Sequence, residues 1–238
     1  MKVLAVDSSG LVASVALVTE EGMVAEYTMN HKKTHSQTLM PMLDEIVRMA
    51  EQELSDIDAI ATAAGPGSFT GLRIGAAMVK GLGLALNKPV IGVPTVDALA
   101  YNLYDTKAVI CPMMDARRKQ VYTGLYEFKE HKLAVIEEQM AIGVEEILEK
   151  INVLGREVIF LGDGVPVYEE MIQQGCKVSY SIAPPHLSRQ RAGAVGSLAL
   201  QYVKEGRQME TAGKYKPEYL RLSQAERERL EKEGKMKA

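Results

Sequence analysis

The chain has 238 residues, 47% of them apolar and 25% charged, with a net charge of −3. That length can bury one sizeable core or two modest ones. Mild acidity, with Lys and Arg spread along the chain, argues against a stand-alone nucleic-acid binder, which would carry a basic excess or stripe.

Lys2–Asp7 reads as a buried strand ending in a carboxylate. Ala13–Thr19 and Met23–Met29 read as the next two strands, separated by the turn Glu20-Glu21-Gly22. A helix is predicted from about Ser36 or Thr38 to Glu53, with Leu39, Leu43, Ile46 and Ala50 on one face and Pro41 in its first turn. Strand Ile57–Ala64, a glycine turn, helix Leu72–Leu86, strand Val90–Val93 and helix Thr95–Tyr104 complete an α/β unit.

The pattern then restarts. Val109–Met114 is an apolar strand ending in Asp115, followed by strands Val121–Phe128 and Leu133–Gln139 and a helix from about Val144. Laying Asp7 over Asp115 also lays Ala13 over Val121 and Leu17 over Leu125. A strand Val158–Leu161 and helices near Pro166–Gln174 and Gly193–Glu205 close the second copy. Two similarly built α/β domains are expected, 1–105 and 106–222, with a charged helical tail over 223–238. In that tail Ser223 and Glu226 form a capping box.

The glycine turn is Gly65-Pro-Gly-Ser-Phe-Thr-Gly-Leu-Arg-Ile-Gly75. A glycine-rich turn between strand and helix presents free N–H groups at a positive helix end, the usual cradle for phosphate. The spacing fits neither common template: Arg73 follows Leu72 where a P-loop needs Gly-Lys-Ser/Thr, and the third glycine comes one residue late for a dinucleotide fold. Candidate nucleotide or phosphate contacts are Asp7, Ser8, Ser9, Gly65, Gly67 and Ser68, for ATP or ADP held weakly if at all. In the second copy Asp115 is followed by Ala116-Arg117-Arg118-Lys119, cations too bulky for a tight backbone cradle.

That run, with Asp7-Ser-Ser, His35-Ser36, Leu39 to Leu43, Pro94-Thr95 and Met114-Asp115-Ala-Arg-Arg, resembles the TsaB (YeaZ) family. The likeness is thinner at Leu161-Gly-Asp-Gly164 and Pro217-Glu-Tyr-Leu-Arg221. The duplicated order of elements looks like the actin-like ATPase fold, whose halves are ribonuclease-H-like. The resemblance implies a non-catalytic subunit pairing with the catalytic TsaD, with the ATPase TsaE joining, to transfer threonylcarbamoyl to N6 of an adenosine in tRNA. It implies tRNA contact only through the complex; a homodimer when alone is expected from two-fold self-pairing of an apolar helix patch, and no membrane from the lack of a long apolar span.

TsaD carries two histidines four apart on a helix; here His35 is followed four residues later by Leu39, which cannot ligate a metal. His31 precedes His35 by four but falls in the predicted loop. Cys111 and Cys176 make no metal-ligand spacing, and no nucleophile with its base is legible, so neither a metal nor catalytic residues are expected. Two alternatives stay open: an actin-fold enzyme (metallopeptidase or small-molecule kinase), and a nucleotide-binding homodimeric regulatory module.

Helix Leu72–Leu86 is apolar nearly all round, and its glycines each cost roughly 1 kcal/mol of helix propensity, which a close helix–helix approach would offset. The expected partner surface is Met40, Met42, Val47 and Met49 with Ile74, Gly75, Ala76, Ala77, Met78 and Gly81, the two helices through which the family resemblance implies pairing. The stretch before Asp7 is too short for a secretory signal, and no span of about 18 uninterrupted apolar residues occurs, so the cytoplasm is expected.

Overall fold

The computed structural model describes residues 1–31 and 34–221. The expected tail Ser223–Ala238 lies outside the described residues. Strands β1 (Lys2–Asp7), β2 (Ala13–Thr19) and β3 (Met23–Met29) form a meander, and α1 (His35–Met49) leads to β4 (Ala59–Gly65). Helix α2 (Phe69–Leu86), β5 (Val90–Pro94) and α3 (Thr95–Tyr101) complete the first half. The second half runs β6 (Val109–Asp115), β7 (Gln120–Lys129), β8 (Lys132–Gly143), α4 (Val144–Leu154), β9 (Val158–Leu161), α5 (Glu169–Gly175), β10 (Tyr180–Ile182) and α6 (Ala192–Lys204).

The two sheets have the orders β3-β2-β1-β4-β5 and β10-β9-β6-β7-β8. Each has a central first strand, antiparallel to the second (Leu4 opposite Leu17; Ile110 opposite Tyr126) and parallel to the fourth (Ala5 beside Ala61; Cys111 beside Phe160). This duplicated arrangement is the actin-like, ribonuclease-H-like fold.

Strand β1 reads as a continuous apolar run because both faces of its sheet are covered. Leu4, Val6, Val15 and Leu17 meet Leu39, Leu43 and Ile46 of α1 and Val79 of α2 on one face. Val3, Ala5 and Ala16 meet Val195, Leu198 and Ala199 of α6 on the other. The expected division at 105/106 therefore needs correction: α6 returns to the first sheet. Its start is fixed there by Ser14 Oγ, which accepts the Ala192 N–H at 2.9 Å, and by Glu26 Oε1, which accepts the Gly193 N–H at 2.8 Å. A carboxylate at a helix N-terminus also complements the helix dipole.

Residues 210–221 return as well. Val90 and Glu210 exchange backbone bonds at 2.8 Å, Tyr215 enters the first core, and the Glu218 N–H donates to Ala64 O at 2.7 Å. Between the halves Val96 and Leu99 of α3 pack on Ile110, Met114, Tyr126 and Leu161. Inside this seam the buried Asp97 carboxylate accepts the hydroxyls of Tyr126 (2.8 Å) and Tyr202 (2.9 Å). Burial raises its pKa and the two tyrosine bonds act against that rise.

Candidate functional site

Two turns meet at the carboxyl ends of β1 and β4. After β1, Asp7 Oδ1 accepts the Ser9 N–H at 2.9 Å and the Ser9 hydroxyl at 2.6 Å, while the Ser8 hydroxyl donates to Gly71 O at 2.9 Å. After β4, Ser68 caps α2 by accepting the Gly71 N–H at 3.2 Å and gives its own N–H to Ser9 O at 2.6 Å. The glycines let the turns interlock: a Cβ on Gly67 would strike the Ser9 carbonyl, and one on Gly71 the Ser8 carbonyl. Gly65, at φ 123°, lies against the Glu218 carbonyl.

These contacts divide the six candidate phosphate residues. Gly67 and Ser68 face a cleft of about 620 Å³ between the halves, and Ser9 borders it while fully buried, its N–H and hydroxyl both given to Asp7. Asp7, Ser8 and Gly65 lie behind it, buried and used in packing, so they are corrected from ligand candidates to supports of the turn. Asp7 is only 1% exposed, and burial pushes its carboxyl up to about 6 against the opposing pull of the Ser9 bonds and the His35 charge.

Across the cleft stand Asp115, Ala116, Arg117, Tyr122 and Asp163. Asp115 Oδ1 accepts the Arg117 N–H (2.8 Å) and the Tyr168 hydroxyl (2.7 Å), and Asp163 Oδ1 accepts the Asp115 N–H (3.1 Å). Arg117, Arg118 and Lys119 all adopt left-handed φ, at 66°, 56° and 55°. The Ala116 and Gln120 N–H groups bond within this turn, to Gln120 O and Arg117 O. The Ala116, Arg117 and Gln120 amides are thus engaged by the protein itself, and the side chains of Arg117, Arg118 and Lys119 project into solvent.

Asp163 was not among the predicted site residues, although Gly162-Asp-Gly164 follows β9 where Gly65-Pro-Gly67 follows β4. Gly162 and Gly164 pack on the Met113 carbonyl near the end of the first strand of their half, so the glycine turn that follows the fourth strand in each half was the signal that could have found it. Phe69 of the glycine-turn run also lines the cleft, as does Tyr122, which the sequence did not single out.

His35 opens α1, lines the cleft and is buried; its Nε2 lies 2.9 Å from Gly10 O and its Nδ1 has no partner among the described residues. Leu39, one turn on, lies in the first core. His31 sits before α1 and exposed, so the two histidines do not share a helix face. Cys111 is fully buried, its thiol pushed up to about 12.

Helices α1 and α2 lie side by side over the first sheet. Met40, Met49, Ala77 and Gly81 are exposed, and Val47, Ile74 and Met78 half-buried. Met42, Gly75 and Ala76 are corrected: Met42 and Ala76 belong to the first core, and Gly75 faces the Ser8 hydroxyl. The helical period explains this, since Leu72, Ala76 and Val79 share the inward face whereas Arg73, Ala77, Gly81 and Leu84 form the outward stripe. Leu84, 66% exposed, joins the surface expected of the two helices. By length and composition α2 could cross a membrane, yet here its inward face covers a sheet.

The family described as "TsaD: tRNA N6-adenosine threonylcarbamoyltransferase" matches residues 22–229. The tRNA threonylcarbamoyladenosine biosynthesis protein TsaB of Bacillus subtilis is 32% identical over 97% of this chain and 99% of its own. TsaB of Escherichia coli is 32% identical over 72% of this chain and 75% of its own. YeaZ from Pseudomonas aeruginosa superposes with a TM-score of 0.79 at 27% identity, covering 92% of this chain and 99% of that one. A second Pseudomonas aeruginosa structure, described as an uncharacterized protein with similarity to peptidase YEAZ, reaches 0.80 at 28% identity with the same coverage.

Proposed function

We propose a non-catalytic, partner-binding function for this chain, which belongs to the TsaB family of tRNA threonylcarbamoyladenosine biosynthesis proteins. It pairs with a TsaD-like catalytic subunit through the outward faces of α1 and α2, and a TsaE-like ATPase joins the pair. The assembly acts on tRNA, which places it in the cytoplasm.

The observation that carries this reading is the outward stripe Ala77, Gly81 and Leu84 beside Met40 and Met49. Small residues let a second helix approach closely, and methionines adapt to a partner's shape. An apolar face of this kind on two adjacent helices marks an association surface. The same face accommodates a second copy of the chain when the catalytic subunit is absent, because a two-fold axis sets each helix pair against its own copy.

A non-catalytic role is supported by where the hydroxyls go. Those of Ser8 and Ser9 donate to Gly71 O and Asp7, Ser68 Oγ accepts the Gly71 N–H, and none pairs with a histidine among the described residues. The decisive experiment is co-purification with the TsaD-like subunit, followed by threonylcarbamoyl transfer to tRNA. Transfer should need both chains. Transfer or peptide hydrolysis by this chain alone would overturn the reading.

A further inference from the structure

Phe69 of the first half and Arg117 of the second line the cleft from opposite sides, and each adjoins further cations or rings. Arg73 lies over the Phe69 ring at 4.1 Å, and that ring stacks on Tyr219 at 4.4 Å. Arg221 donates to Ala116 O at 2.8 Å, which brings the returning segment 210–221 to the turn of the second half. That turn holds Arg117, Arg118 and Lys119 outward on three consecutive left-handed residues, a conformation that L-residues adopt only against steric resistance.

Arg73, Arg118 and Lys119 form no ion pair among the described residues. Arg117 meets Asp115 only at 3.5 Å with its own side chain 88% exposed. On a protein of net charge −3, this rim is a local reversal of sign.

The depth of the cleft has the opposite character. Asp115 and Asp163 line it, and Asp7 lies buried behind Ser9. A bare phosphate driven to the floor would meet carboxylates, whereas a phosphodiester chain crossing the rim would meet guanidinium and ammonium groups with the exposed Tyr219 ring beside them. Phosphate contacts from Arg and Lys supply most of the affinity for RNA, and aromatic faces stack exposed bases.

We infer that the rim formed by Arg117, Arg118 and Lys119, with Tyr219 beside it, is this chain's own contact to the RNA backbone. The inference rests on the reading of the chain as a subunit of the tRNA-modifying assembly. It adds that this chain, and not the catalytic subunit alone, holds the tRNA.

The test uses the full chain, alone and assembled with the catalytic subunit, titrated with an unmodified tRNA transcript over a series of salt concentrations. Replacing Arg118 and Lys119 together by glycine removes two charges while suiting the left-handed backbone, so the variant should melt no lower than the parent. Its tRNA affinity should fall about tenfold or more, and the slope of log affinity against log salt should become shallower by about 2. The charge reversal Arg118→Glu with Lys119→Glu should weaken binding further, and Lys107→Glu with Lys177→Glu, outside the rim, should not.

If the assembly forms and the rim variants bind tRNA with unchanged affinity and slope, the inference is wrong while the partner reading stands. Retention of tRNA by neither the assembly nor the chain alone also overturns it. So does a variant that loses ATP binding but keeps tRNA, which would make the rim a nucleotide site. Failure of the assembly to form is seen separately, by size exclusion, and counts against the partner reading.

Discussion

Ser9 and Ser68 are joined backbone to backbone: the Ser68 N–H donates to the Ser9 carbonyl at 2.6 Å. Through this bond the turn after β1 and the glycine turn after β4 become one unit, on which α2 begins. The geometry of the cleft wall and the angle of α2 are therefore set together.

The glycines of this unit should be intolerant for steric reasons. Gly71→Ala, whose methyl group would strike the Ser8 carbonyl, should lose about 1–3 kcal/mol in urea unfolding. Gly81→Ala has open space at its Cβ and lies within the helix, so it should gain up to about 1 kcal/mol. Equal stabilities for the two variants would show that the interlock does not bear on folding.

Asp7 predicts a pH dependence. Burial raises its folded pKa from the ordinary 3.8 to about 6, so the folded state binds the proton more tightly than the unfolded chain. The stability tied to the protonated form is complete below pH 4 and is lost as pH rises through 6. Asp7→Asn keeps an acceptor for Ser9 without the charge and should stabilise the protein by roughly 1–3 kcal/mol at pH 8, the gain shrinking towards pH 4. Thermal melts at the two pH values would contradict this if the difference grew on acidification.

The seam between the halves depends on the Asp97 carboxylate. Tyr126→Phe removes a hydroxyl donor 2.8 Å from it and leaves Tyr202 as its remaining tyrosine partner. An under-bonded buried carboxylate should cost roughly 1–3 kcal/mol. A melting temperature equal to the parent's would show that the bond contributes nothing net.

Much of the architecture was legible because hydrophobic runs and turn residues agree. Lys2–Asp7, Ala13–Thr19, Met23–Met29 and Val158–Leu161 coincide with the observed strands. The inward face of α2 was not legible: a helix apolar all round has no period to read, and only its packing, Ala76 and Val79 in the core and the Ser8 hydroxyl beneath Gly75, shows which side is down. Strand β10 is three residues with two exposed, too short and too polar to register. The return of 210–221 was hidden because it is held by backbone bonds to Val90 and Ala64, which no side-chain pattern announces.

The partner surface is tested most directly by two neighbouring substitutions, Ala76→Glu and Ala77→Glu. Ala76 is 7% exposed in the first core, and a charge there should unfold the chain, since an unpaired buried charge costs several kcal/mol. Ala77 faces outward, so Ala77→Glu should fold and melt close to the parent. Light scattering of that folded protein, alone and mixed with the TsaD-like subunit, is the measurement that matters. The account predicts a monomer that neither dimerises nor assembles and that fails to support threonylcarbamoyl transfer. A folded Ala77→Glu protein that still dimerises, assembles and supports transfer like the parent would contradict it.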